Sequence, residues 1–321
     1  MNRVATFGNY NSALMDLMAS QTRAQQAQER LSTEKIATDL AGYGRTSEAL
    51  TALKSTASRI DGFISVGEQA AARLAAQDLA MSQIYDGGDA ARQAIANAMA
   101  AGRVDGLMND LAVQYQTVQS GLNTSFQGLY LFAGAQTDKK PATATDMADL
   151  ATAPSVAAVF ANDTLTQKSR IDENTTLNTG FAADALGGPL TTVFRNMQLY
   201  QEGNPVTIEG VTYTPPAAGS ITGQVGADLQ AFLNAQLGEL DKANKGVVNE
   251  QARNGLMQNH VDAALDTHDA HKFSLEQLVQ DKSGIDKAQA ITELEMAQIA
   301  IQASAQVVNS LRQTSLLDLL R

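Results

Sequence analysis

The chain has only three histidines, His260, His268 and His271, and they fall in one helical stretch with Asp262, Asp266 and Asp269. His268 and His271 stand three residues apart, so a helix would put both imidazoles on one face, where they could share a metal ion. The competing reading is a solvated polar face with incidental histidines, and it is the simpler one. A di-iron site would need Glu three residues before a His, and those positions hold Met257, Leu265 and His268. Asp172 and Glu173 could be drawn as acid and base, but 34 acidic residues make such neighbours common by chance. The sequence contains no GxxxxGKS or GxxxxGKT phosphate loop, no GxGxxG, no GxSxG and no HExxH. No catalytic, cofactor-binding or metal residue is assigned, no cofactor is expected, and the chain does not read as an enzyme. A metal-dependent enzyme would need the three histidines to converge. A helical ligand-binding module would need a pocket lined by convergent polar groups, for which the sequence offers no candidate.

Composition narrows the partners. The formal net charge is −11 over 321 residues, and Lys139-Lys140 is the only adjacent basic pair. That argues against nucleic acid and against an anionic membrane surface. Cysteine is absent, which removes disulfides, thiolate catalysis and cysteine-held zinc together. Tryptophan is absent too and aromatics are 5%, so a core must come from Ala, Leu, Ile, Val and Met. No run reaches the ~18 apolar residues that would span a bilayer. Met1 to Gly8 lacks an apolar run of signal-peptide length, so any export is expected to proceed without a cleaved signal.

The elements that must position these residues are set out by proline. All six prolines lie between Pro141 and Pro216, which leaves two proline-free arms. Asn9 to Ala41 has neither Gly nor Pro, and Tyr10, Leu14, Leu17, Ala24, Ala27 and Leu31 recur at helical spacing. Gly42 and Gly44 predict a break. Phe63, Val66, Ala70, Leu74, Gln77, Met81 and Ile84 form the stripe of a second helix, weakened at Gly87-Gly88. Gly102 to Gly106 reads as a turn, and a third stripe runs from Val104 to Phe126. Within the insert, Val156 to Phe160, Leu165 to Ile171 and Thr175 to Phe181 read as short strands. Val206 to Ile208 and Val211 to Tyr213 read as a hairpin around Glu209-Gly210. Leu190 to Leu199 reads as a short helix. From Val225 the helical period returns and runs almost to the end.

The two chain ends invite association. Met296 to Leu311 carries no charge, and a helix without a charged face is normally enclosed by neighbours. Fully burying Ile301, Val307, Val308, Leu311, Leu316 and Leu319 would contribute on the order of 10 kcal/mol. Ordering the ~25 residues that carry them costs roughly 1–2 kcal/mol each. The tail is therefore expected to order when copies of the chain enclose it, with Leu14, Leu17, Leu31, Ile301, Val308, Leu311, Leu316 and Leu319 as the inter-subunit core.

Particular segments then point to a family. Leu31-Ser32-Thr33-Glu34-Lys35-Ile36 resembles a Leu-Ser-Thr-Gly-Lys segment, with Glu34 where Gly is usual, and Asp39-Leu40-Ala41-Gly42 matches part of an Asp-rich turn. Gly128-Leu129-Tyr130-Leu131-Phe132-Ala133-Gly134-Ala135-Gln136-Thr137 resembles a Gly-x-Tyr-x-Phe-x-Gly-x-x-Thr stretch that closes the first arm, most of all on Gly128, Tyr130, Phe132 and Gly134. Arg253-Asn254-Gly255 resembles an Arg-x-x-Gly segment in shortened form. Ser283 to Ala288 resembles Ser-x-Ile-x-Asp-x-Asp-Ala, with Lys287 at an acidic position. Ser315 to Leu320 resembles a closing Ser-Leu-Leu-x-x-Leu. Together these resemble the flagellin superfamily over roughly residues 1–138 and 223–321, and within it the hook–filament junction proteins more than filament flagellins.

The resemblance implies a mainly α fold. Both termini would form a long antiparallel bundle or coiled coil, with a smaller β-containing insert. Residues 1–42 with 279–321 would be the terminal coiled-coil assembly domain. Residues 43–138 with 223–278 would be a helical bundle, and 139–222 an outward-facing insert. It further implies a non-enzymatic subunit exported through the flagellar type III apparatus to an extracellular flagellum. Its partners would be copies of itself, flagellin, the other hook-associated adapter protein, and an export chaperone on the C-terminal tail. Filament flagellin, which shares the fold and both tails, is the alternative.

Overall fold

The computed structural model describes residues 2–319, with side chains described for Gly8, residues 10–310 and Arg312. The chain groups into two units: the residues up to Asp61 with those from Ala270, and Gly62–Asp269.

The first unit is built on α1 (Asn2–Thr33) and α7 (Lys287–Leu319), which pack antiparallel. Ion pairs between Arg30 and Glu293 at 3.5 Å and between Glu34 and Lys287 at 2.7 Å fix that direction. The stop of α1 differs from the expected one. The helix ends at Thr33, before Gly42, because Glu34 turns into the left-handed region at φ 55°. Lys35 then bridges Gly284, and the Ile36 amide donates to the Ser283 carbonyl at 2.8 Å. The Asp39 carboxylate accepts from the Gly42 amide, and a 3-10 turn over Ala41–Thr46 leads into α2 (Ser47–Ala101). At the other strand of this corner, the Asp286 carboxylate accepts from the amides of Ala288 and Gln289 and so caps the start of α7.

The second unit packs α2 and α6 (Ala227–Ser283) with α3 (Leu107–Leu122) and α5 (Ala183–Gln201). Gly87-Gly88 does not weaken α2, which runs through it. A Cβ at Gly87 would sit 2.7 Å from Val118 Cγ2 and 3.1 Å from the Gln114 carbonyl, so the glycine lets α3 lie close. The expected turn after α2 is present, with Gly102 and Gly106 at φ 67° and 86°. Between α3 and α6 the chain forms three two-stranded antiparallel hairpins, β1 (Ser125–Phe126) with β2 (Leu129–Tyr130), β3 (Lys168–Arg170) with β4 (Thr176–Asn178), and β5 (Val206–Ile208) with β6 (Val211–Tyr213). Glu209 and Gly210 both take positive φ between β5 and β6, as a two-residue hairpin turn requires.

Two insert expectations change. Val156–Val159 is a 3-10 turn and not a strand, with Val159 its buried residue. The expected helix over Leu190 to Leu199 extends to Ala183–Gln201 and contains Pro189, so proline is not excluded from helix interiors here. An interior proline costs about 3 kcal/mol. Burial of Leu186, Leu190, Val193, Phe194, Met197 and Tyr200 on that helix is worth roughly 10 kcal/mol and outweighs it. Tyr200 stacks on Phe232 of α6 at 4.0 Å, and Tyr213 meets the same ring edge-on at 5.8 Å, which seats β6 on the helices. Short helix α4 (Met147–Thr152), capped by Asp146, adds Met147 and Leu150 to the same core.

Candidate assembly surface

On α1 the residues that close against the chain are small. Ala13, Ser20 and Ala27 are buried at seven-residue spacing, and Ala290 and Ala297 repeat that interval on α7. Small side chains at a heptad position let two helix backbones approach closely. Leu14, Leu17, Leu31, Ile301 and Val308 flank this seam and are half-buried within the single chain. Leu311, Leu316 and Leu319 lie on α7, but their side chains fall outside the described residues.

A second set of apolar side chains has no cover. Met15, Met18, Met296, Ile299 and Val307 are all exposed, Met15 at 69% and Ile299 at 65%. Of these only Val307 was named from the sequence; the spacing that marked Leu14 and Leu17 did not single out Met15, Met18, Met296 or Ile299. The missing charge along residues 296–311 pointed to the α7 members, because it leaves that stretch without a charged face. Met296 lines a shallow groove with Ala27 and Ala297, rimmed by Arg30 and Glu293. The pair thus exposes apolar side chains on both helices, with Arg23, Arg30 and Glu293 beside Met296.

Two departures from the family pattern meet in the first unit. Glu34 stands where Gly is usual, and Lys287 stands at an acidic position; their side chains form the 2.7 Å pair. Both groups are more than half exposed, so the pair is worth at most about 1 kcal/mol.

Gly128, Tyr130, Phe132 and Gly134 lie in the second unit. Gln127 and Gly128 take φ 53° and 81° in the turn between β1 and β2. The Tyr130 amide donates to the Thr137 carbonyl at 2.9 Å, and Phe132 is fully buried, its carbonyl accepting from Ala183. Gly134 turns at φ 70° against the Asp163 loop, where a Cβ would lie 2.1 Å from Asp163 Oδ1. That carboxylate accepts from the amides of Ala135 and Leu165. The stretch therefore works as a clasp that turns the chain from α3 into the insert.

The histidines do not converge. His260 and His271 are exposed, whereas His268 is buried, so the expected solvated face fails at that one position. Its ring stacks on Phe63 at 5.6 Å, and Nε2 donates to the Ile171 carbonyl at 2.8 Å. Among the described residues, no group of three or more His, Asp or Glu is placed to hold a metal. No described helix is long and apolar enough to cross a membrane.

The perturbed titrating groups are structural. Burial raises the Tyr115 phenol, whose hydroxyl donates to the Ala144 carbonyl at 3.0 Å. Hydrogen bonds from Arg103, and then from the Gly223 amide, hold the Asp105 carboxyl below the usual range. Asp105 so ties the turn after α2 to the approach to α6.

Comparison with known proteins gives this geometry a context. Residues 237–320 match the family model described as Bacterial flagellin C-terminal helical region. No curated protein matches the chain. A solved structure from Vibrio parahaemolyticus, described as a flagellar hook-associated protein, is similar at 15% identity and TM-score 0.57, covering 77% of this chain and 99% of that one. Bacillus cereus FlgL is similar at 14% identity and TM-score 0.51, covering 72% of this chain and 98% of its own. What these structures share with the chain is the fold, long paired terminal helices with a small strand-bearing insert. The chain thus carries a stretch like the C-terminal helical region of bacterial flagellin, on a fold similar to that of a flagellar hook-associated protein.

Proposed function

We propose that the chain is a structural, non-enzymatic subunit of the bacterial flagellum that joins hook to filament. It would assemble as a ring through its terminal helices after export. The observation that carries this reading is the antiparallel α1–α7 pair, on which Met15, Met18, Met296, Ile299 and Val307 are exposed. Exposed apolar side chains of that kind on a terminal helix pair are accounted for by copies packing side by side. Leu14, Leu17, Leu31, Ile301, Val308, Leu311, Leu316 and Leu319 are the proposed shared core, with the exposed set as its outer contacts.

The division into a terminal assembly domain, a bundle and an outward-facing insert belongs to the same proposal. So do the partners: flagellin, the other hook-associated adapter protein and a cytoplasmic chaperone on the C-terminal tail. Residues 296–311 contain no charge, and a free helix of that composition is an aggregation hazard that a chaperone would mask before type III export.

Immunogold electron microscopy with an antibody against residues 139–222 tests the reading on intact flagella. A single band at the hook–filament boundary is expected. Label along the whole filament would instead make the chain a filament flagellin, and unlabelled flagella would overturn the flagellar reading.

A further inference from the structure

We propose that Met15, Met18 and Met296 form an oxidation-sensitive set, and that converting them to sulfoxides by a peroxide-class oxidant blocks seating of the terminal helices. The proposal rests on the assembly reading above.

The partition of methionines carries it. The exposed ones among the described residues are Met15, Met18 and Met296, at 69%, 58% and 58%, and all lie on the α1–α7 pair. In the second unit Met81, Met147, Met197 and Met257 are buried, and Met99 and Met108 are partly buried. The chain has no cysteine and no tryptophan to compete for oxidant. Susceptibility follows exposure, so oxidation falls on the helix pair and spares the bundle core.

The chemistry balances simply. The thioether sulfur attacks one peroxide oxygen, the O–O bond breaks, and the products are a sulfoxide and water. Sulfur loses two electrons and the peroxide gains them. The product is polar and chiral where the thioether was apolar and flexible. A sulfoxide oxygen enclosed between helices would need a hydrogen-bond donor. Apolar neighbours such as Ile299 and Val307 supply none.

The test uses the purified full chain, hydrogen peroxide, and flagella isolated from cells that lack the chain. Peptide mass spectrometry should find sulfoxide at Met15, Met18 and Met296 well before Met81 or Met197. Treated chain should seat on those flagella at least tenfold less than untreated chain, and methionine sulfoxide reductases should restore seating. In a Met15→Leu, Met18→Leu, Met296→Leu variant the ratio of treated to untreated seating should stay near one. Even oxidation across all methionines, or equal seating of the oxidised chain, would overturn the proposal. Untreated chain that fails to seat would overturn the assembly reading itself.

Discussion

Replacing Ile299 by aspartate separates folding of the single chain from its assembly. Ile299 is 65% exposed on α7, so about a third of its surface is covered within the chain. At ~1.5–3 kcal/mol for a fully buried isoleucine, the substitution removes about 0.5–1 kcal/mol from the isolated chain. The melting temperature should move by a few degrees at most. Enclosure by neighbouring copies would bury the remaining two thirds, worth about 1–2 kcal/mol and lost in the variant. An aspartate shut into the same contact adds a desolvation cost of at least a few kcal/mol. A total near 4 kcal/mol corresponds to roughly a thousandfold loss of incorporation. The assay is Ile299→Asp supplied to cells lacking the chain, with incorporation read by immunoblot of purified flagella and folding by thermal melt. Ile301→Asp is the control, because Ile301 is half-buried in the chain and its loss should lower both readouts. Normal incorporation of Ile299→Asp would refute the reasoning, since the exposed face of α7 would then contact nothing.

Three further outcomes are expected. Glu34→Gly should leave stability equal or slightly raised, because relief of the φ 55° conformation is worth about 1 kcal/mol and the exposed pair with Lys287 no more; a double-mutant cycle with Lys287→Ala, read by denaturant unfolding, checks it. Gly87→Ala should destabilise by about 1–3 kcal/mol despite the better helix propensity of alanine, because the added methyl meets Val118 and the Gln114 carbonyl; a higher unfolding midpoint would contradict that packing. Hydrogen bonds from Arg92, and then from Gln93, lower the Asp89 carboxyl, as those from Arg103 and Gly223 lower Asp105. Both folded values lie below the unfolded one, near 4, so this stability is complete above about pH 4 and drains as pH falls through the folded values. Melting curves from pH 6 to pH 2 should show the loss, and Asp105→Asn should flatten it.

Much of the helical frame was legible because it rests on apolar period and proline. Leu74, Met81 and Ile84 are each fully buried on α2, as their spacing implied. The β5–β6 hairpin was legible from Gly210 between two short β-branched runs, with Glu209 drawn into positive φ beside it. The end of α1 was not, because nothing in glutamate announces a left-handed residue; the turn is supported by Lys35, Ile36 and Ser283 contacts from the far end of the chain. Pro189 misled for a related reason. Its local cost is fixed, whereas the burial that outweighs it depends on tertiary neighbours such as Tyr115, whose ring meets Phe194 at 5.5 Å. His268 was read as surface because its partners, Phe63 and the Ile171 carbonyl, lie far away in sequence.

That last contact belongs to a pattern. Helix side chains hold the insert, and the segment leading into it, by the main chain. Arg73 donates to the Leu131 carbonyl at 3.2 Å, Gln77 to Thr179 at 3.1 Å, Tyr115 to Ala144 at 3.0 Å, and His268 to Ile171 at 2.8 Å. Asn123, at the end of α3, both donates to and accepts from the backbone of Ala142, and within the insert Arg195 of α5 reaches the carbonyls of Leu150 and Ala153 in the same way. Every residue type except proline's missing N–H offers the same main-chain groups. Donors aimed at carbonyls therefore specify the path of the insert without specifying its side chains. The sequence of residues 139–222 is correspondingly free to carry few marks of its fold, whereas the donors on α2, α3 and α6 are not. Substituting an insert side chain such as Thr179 or Ile171 by a residue of similar size leaves the helix contact in place; replacing Gln77 or His268 removes it and strands a buried carbonyl.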